Sequence, residues 1–151
     1  LVEAEPKTKI ESGIGFRISR LARNMRSQWA QNLSELDISP PQAAILRTVV
    51  EEDEVGIGIR EIARRLGADP MNVKRTTDTL EDRGLISAAT ASKGQRKRIL
   101  LTQSGIALAR QVEEKVQAQE EEFRRVLTLE QRKILIDSII ALEEHFGISN
   151  E

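Results

Sequence analysis

The chain has 151 residues, 39% of them apolar and 31% charged, enough for one core-forming domain or for a domain whose extension is covered by another subunit. It has no cysteine and one histidine, His145, which excludes disulfides, thiolate metal sites and cysteine redox sensing and leaves no histidine-rich metal set. The formal net charge is −1, but residues 70–102 carry seven Lys/Arg against three Asp/Glu, while 103–151 carry six against ten.

A basic middle followed by an acidic end suits a phosphate-bearing partner for the middle segment. No apolar run approaches the roughly 18 residues of a membrane span, so no membrane partner is expected. Residues 1–9 are polar and contain Pro6, without the apolar centre of a signal peptide, so a cytoplasmic protein is expected. There is no Gly-rich phosphate loop, GxSxG or HExxH, and the acids are scattered. The expectation is therefore no enzyme, no cofactor and no metal.

Residues 10–36 read as a long amphipathic helix. Ile14, Ile18, Leu21, Met25 and Trp29 recur at spacings of three and four, while Arg17, Arg20, Arg23 and Arg26 lie mostly off that stripe. Gly13 and Gly15 weaken its first turns and predict a late start. Asp37-Ile38-Ser39-Pro40-Pro41 breaks the pattern and restarts it, with Ser39 as N-cap and Pro40 as the first helical residue of a helix over about 40–52. Ala43, Leu46, Val49 and Val50 form its apolar face.

Residues 51–58 read as an acidic loop, and 59–66 as a short helix with Ile62, Ala63 and Leu66 inward, ended by Gly67. Asp69 and Pro70 then start a helix that runs to about Arg83, where Gly84 stops it. Strands are predicted at 85–90 and 97–102 around the polar stretch 91–96, a β-hairpin. A second long helix begins near Gln103 or Ser104 with Ala109, Val112, Val116, Phe123 and Val126 as its stripe. Thr128 opens the last helix. Its apolar residues Ile134, Leu135, Ile136, Ile139, Ile140, Leu142 and Phe146 do not fit one narrow stripe, so it requires cover on more than one side. A second copy of the chain supplies that cover most economically.

Two helices joined by a tight turn and followed by a basic hairpin describe a winged helix-turn-helix, whose second helix enters the DNA major groove N-terminus first. Val73, Thr76, Thr77 and Leu80 would face the first helix. Pro70, Met71, Asn72, Lys74, Arg75, Asp78 and Thr79 would then lie on or near the outward face. There Arg75 can fork onto guanine, Asn72 onto adenine, and Lys74 can reach phosphate. The hairpin adds Lys93, Arg96, Lys97 and Arg98, and an arginine at its tip can enter a narrow minor groove. Strand alternation points Arg96 and Arg98 one way and Lys97 the other, so they cannot all reach DNA together. Arg96 is favoured as the tip residue over Lys93 and Arg98.

The expected fold is mainly α with a small β-hairpin. A winged helix-turn-helix lobe would span 38–102, and helices over 10–36 and 103–148 would form a dimerisation platform. Candidate dimer contacts are Ile10, Ile14, Phe123, Leu135, Ile139, Leu142 and Phe146. The function expected is that of a duplex-DNA-binding transcription regulator acting as a homodimer. The alternative is a winged-helix protein-interaction module, against which the basic outward face and wing argue.

Pro41-Gln42 through Leu46, Ile62-Ala-Arg-Arg-Leu66, Val73-Lys-Arg75, Leu80-Glu-Asp-Arg-Gly84-Leu-Ile86 and Leu101-Thr102-Gln-Ser-Gly105 together resemble the MarR family of regulators, over roughly residues 10–146. The resemblance implies an obligate homodimer, triangular in outline, with recognition helices in successive major grooves of a pseudo-palindrome and wings in the flanking minor grooves. It further implies a repressor released by a small aromatic or anionic effector. The effector would sit in a crevice between platform and lobe, lined here by Ile18, Met25, Trp29 and Leu46, with Arg26 as a carboxylate partner. The simpler reading makes Met25 and Trp29 core residues, and His145 an interface or surface residue. The family's wing motif, Asp followed two residues later by Arg, falls on Lys93 and Gln95, which leaves Arg96 as the substitute. Thr76 and Thr77 replace the bulkier apolar residues usual there, and their hydroxyls can bond back within the helix.

Overall fold

The structure, a computed structural model, describes residues 9–52, 54–89 and 96–148. The chain enters through a 3-10 turn, Ile10–Ser12, and Gly13 is extended at φ −72° and ψ 130°. The first long helix, α1 (Ile14–Ser34), therefore starts four residues later than the periodicity alone indicates, as its glycines predict. Asp37 takes the left-handed conformation at φ 52° and turns the chain toward α2 (Pro40–Val50). Ser39 caps α2 in a reciprocal box: its hydroxyl accepts from the Gln42 N–H, and the Ser39 N–H donates to Gln42 Oε1 at 3.0 Å.

Helix α3 (Ile59–Leu66) ends on Gly67, left-handed at φ 60°. Asp69 then accepts from the Met71 N–H at 3.2 Å, and Pro70 opens α4 (Pro70–Asp82). Strands β1 (Ile86–Ala89) and β2 (Arg98–Leu101) pair antiparallel with Ile86 opposite Leu101 and Ala89 opposite Arg98. Both strands are shorter than predicted, and Ile57 adds a single bridge to Ile99 outside them. Helices α5 (Gln103–Val126) and α6 (Leu129–His145) follow. Thr128 and Gln131 repeat the reciprocal capping box at the start of α6.

One apolar cluster joins the winged lobe to the inner ends of the long helices. Leu33 from α1, Leu46 from α2, Ile62 from α3, Leu80 from α4 and Val112 from α5 are all fully buried in it. Each such side chain contributes about 1.5–3 kcal/mol relative to exposure. Two expectations fail at the edge of this core. Val50 and Leu66 were assigned inward but are exposed. Each is the last residue of its helix, and in α3 the buried residues are Ile62 and Ala63.

The Leu-Thr-x-x-Gly and Gly-Leu-Ile segments form one physical joint. Thr102 accepts from the Gly105 N–H at 3.1 Å and donates its hydroxyl to the Gly84 carbonyl at 2.7 Å, while its own N–H donates to the Leu85 carbonyl. Gly84 is left-handed at φ 71°. A Cβ on Gly105 would lie 1.9 Å from the Leu85 carbonyl oxygen, so α5 can lie this close to β1 only with glycine there.

Burial fades along the long helices. On α5, Ala109 and Val112 are buried, Val116 and Phe123 half-buried, and Val126 is exposed. On α1, Leu33 is buried, Met25 and Trp29 are half-buried, and Ile14 is 75% exposed. None of the residues of α6 is buried, although its sequence is rich in Ile and Leu. No described helix is long and apolar enough to cross a membrane.

Candidate nucleic-acid interface

The outward face of α4 follows from which residues its helical turns bury. Val73, Thr77 and Leu80 are buried and Thr76 half-buried, so at 3.6 residues per turn Arg75 falls near the middle of the opposite side. Pro70, Met71, Asn72, Lys74, Asp78 and Thr79 are exposed around it. The seven expected residues thus share one surface. The threonine hydroxyls bond back within the helix: Thr76 to the Asn72 carbonyl, Thr77 to that of Lys74 and Thr79 to that of Arg75, at 2.8–3.1 Å.

The charged groups on this face are arranged in two pairs. The Lys74 ammonium lies 2.8 Å from Asp78 Oδ2, and this carboxylate holds the Lys74 pKa above its ordinary value. Arg75 has no carboxylate partner among the described residues. One of its Nη atoms donates to Asn72 Oδ1 at 3.1 Å.

The hairpin contributes unequally. Lys93 lies outside the described residues. Arg96 and Lys97 are exposed beside β2. Arg98, by contrast, turns its guanidinium to the loop after α2, donating to the Gly56 carbonyl at 2.8 Å and the Val55 carbonyl at 3.4 Å. The loop can pass so close because Gly56 is left-handed at φ 77°, where a Cβ would sit 2.6 Å from the Ile99 carbonyl oxygen. Arg98 therefore anchors the wing's base.

Sequence reasoning missed two further arginines. Arg83, at the end of α4, donates to Gln42 Oε1 at 3.4 Å and approaches Asp37 at 3.8 Å, joining α4 to the start of α2 and the turn before it. Arg65 on α3 reaches Glu51 and Glu52 after α2. These partners are distant in sequence, and no spacing rule signals them.

The expected effector residues do not converge. Leu46 is 0% exposed and belongs to the core cluster. Met25 and Trp29 are half-buried, whereas Ile18 and Arg26 are exposed on α1. Two surface hollows of about 520 Å³ each have other walls: Ser34, Asp37, Ile38, Ser39, Gln42 and Arg83 for one, Arg17, Arg20, Leu21 and Asn24 for the other. Of the proposed dimer contacts, Phe123 is half-buried, and Ile10, Ile14, Leu135, Ile139, Leu142 and Phe146 are exposed on the single chain.

Comparison with solved structures identifies the fold. A MarR-family transcriptional regulator from Rhodococcus sp. RHA1 superposes with a TM-score of 0.74 at 23% identity, over 90% of this chain and 95% of that one. This chain has the MarR winged-helix fold. Two other MarR-fold proteins extend the likeness. MepR of Staphylococcus aureus, solved as a DNA complex, matches with a TM-score of 0.83 at 21% identity, over 91% of this chain and 99% of MepR. The Mycobacterium tuberculosis MarR-family protein Rv2887, solved with salicylic acid, matches with a TM-score of 0.65 at 25% identity, over 86% of this chain and 96% of that one. A family model described as HVO_A0114 matches residues 37–108, which is the winged lobe and the start of α5.

Proposed function

We propose that the chain is a sequence-specific, duplex-DNA-binding transcription regulator of the MarR type, a repressor that acts as a homodimer on a pseudo-palindromic site. The observation that carries this reading is the outward face of α4, where Arg75 stands central and free of any carboxylate among the described residues, flanked by Asn72 and Lys74. Arg75 forks onto a guanine in the major groove, and Lys74 and the helix N-terminus meet phosphates. Met71, Asp78 and Thr79 complete the surface that faces the bases, with Pro70 setting the entry of the helix. Arg96 and Lys97 extend the contact from the wing toward the neighbouring minor groove and backbone. Arg98 supports the wing rather than reading DNA.

The dimer follows from the exposed apolar surface. Ile10, Ile14, Leu135, Ile139, Leu142 and Phe146 are large apolar side chains exposed on the single chain, and a second copy buries them. Two recognition helices then address half-sites about one helical turn, roughly 10 base pairs, apart. A small aromatic or anionic effector releases the complex. The salicylate-bound relative supports this ligand class, and the exposed Arg26 on α1 is the candidate carboxylate partner.

Selection of bound duplexes from a random library tests this reading. It should enrich a pseudo-palindrome, and Arg75→Ala should cost about 1–3 kcal/mol and relax one base position per half-site. Weak, salt-sensitive binding without any enriched motif would favour a protein partner for the same face.

A further inference from the structure

The two pairs on α4 differ in kind. Lys74 is matched by a carboxylate, Asp78, which offsets its charge. Arg75 is matched by a neutral amide, which directs the guanidinium without cancelling its charge. Asn72 is exposed at the third position before Arg75, so the two side chains meet one turn apart on the same face. An arginine carries five N–H donors, and the single bond to Asn72 leaves enough of the fork for both guanine acceptors.

The same bond limits what Asn72 can do by itself. Reading adenine bidentately needs the amide oxygen for the adenine N6 donor and the amide nitrogen for N7. Here Arg75 takes one of that oxygen's two lone pairs, so an adenine contact would have to share the oxygen in the orientation that Arg75 sets. The Asn72 backbone is meanwhile fixed by the Thr76 hydroxyl on its carbonyl, so the amide projects from a settled point of the helix. We propose that Asn72 is a positioning residue that presents the Arg75 guanidinium to one guanine, and that it does not read an adenine of its own. This rests on the DNA-reading function proposed above. Ordering a long, exposed side chain before binding removes part of the entropy lost on contact, so the gain is in discrimination at that one base pair.

The test is selection from random duplexes with the full chain and its Arg75→Ala, Asn72→Ala and Asn72→Asp variants, followed by affinities on single-base-substituted sites. Arg75→Ala should abolish a guanine preference of roughly 5- to 150-fold. Asn72→Ala should weaken the same preference several-fold and leave every other position unchanged. Asn72→Asp retains an oxygen for Arg75 but loses the amide donor. It should keep the guanine preference while lowering affinity evenly across sequences. The proposal is overturned if Asn72→Ala relaxes a separate adenine position, or if its selected motif matches that of the wild type. A wild type that selects no motif overturns the DNA-reading function itself, an outcome distinct from either of these.

Discussion

The winged lobe and the helical platform use similar proportions of Ile, Leu and Val yet treat them in opposite ways. In the lobe, Leu46, Ile62, Leu80 and Ile99 are buried within one chain, and side chains tie its helices together, Arg65 to Glu51 and Glu52, Arg83 to Gln42 and Asp37. In the outer helices, no residue of α6 is buried, and Phe146 is 71% exposed. Both regions have well-formed helix starts, with the same capping box at Ser39 and at Thr128. The difference is therefore one of packing. The lobe is covered by its own helices and by Leu33, Ala109 and Val112 of the long helices, whereas α6 leaves its apolar residues exposed on the single chain. Under the proposed function, the outer helices would be the part that depends on concentration, and the lobe the part that meets DNA.

The largest effect should come from the joint between the two regions. Gly105→Ala forces a Cβ against the Leu85 carbonyl, and backbone cannot yield as a side-chain tip can. A loss of more than about 3 kcal/mol is expected, seen as a lowered denaturant midpoint together with lost DNA binding. Unchanged stability would mean that α5 and β1 are not held this close. Next, Leu135→Asp with Ile139→Asp places charges on the exposed face of α6. Sedimentation should show dissociation to single chains while circular dichroism keeps the lobe's helical signal, and palindrome affinity should fall by about 2 kcal/mol or more, as for an interface hot spot. Retention of the dimer would place the interface elsewhere.

The two capping boxes permit a matched comparison. Ser39→Ala and Thr128→Ala should each cost about 1 kcal/mol of helix stability. The first should lower the denaturant midpoint at every protein concentration, and the second should do so through the monomer–dimer equilibrium. Identical concentration dependence would erase the distinction between the regions. The smallest effect lies at the tie between α1 and α5. Lys115 bonds the Glu35 carboxylate at 2.7 Å and holds its pKa below the ordinary carboxylate value. That contribution is present above the ordinary carboxylate range and is lost as pH falls through the lowered value. Because the pair is exposed, Glu35→Gln should reduce neutral-pH stability only slightly and flatten the acid limb of the thermal-stability curve.

What was legible in the sequence was local. Ser39-Pro40, Gly67, Asp69-Pro70 and Thr128 mark helix ends because capping and left-handed turns depend on adjacent residues, and each marks the end it predicts. The outward face of α4 was legible for the same reason, since helical period alone separates Arg75 from Val73 and Leu80. Long-range partners were not legible. Nothing near Arg98 in sequence shows that its guanidinium meets the Gly56 carbonyl, and nothing near Arg83 indicates Gln42. For Leu46 the apolar stripe shows that the side chain is covered, without showing by what, and the core cluster covers it.

The most direct test of the central claim is the mass of the complex between the full chain and its selected duplex, by sedimentation at micromolar concentration. The prediction is two chains per duplex, and without DNA a particle of twice the 16.9 kDa chain mass. One chain per duplex, with a stable monomer in its absence, would contradict the account: α6 would then be exposed without a partner, and the two-helix reading of a pseudo-palindrome would fall.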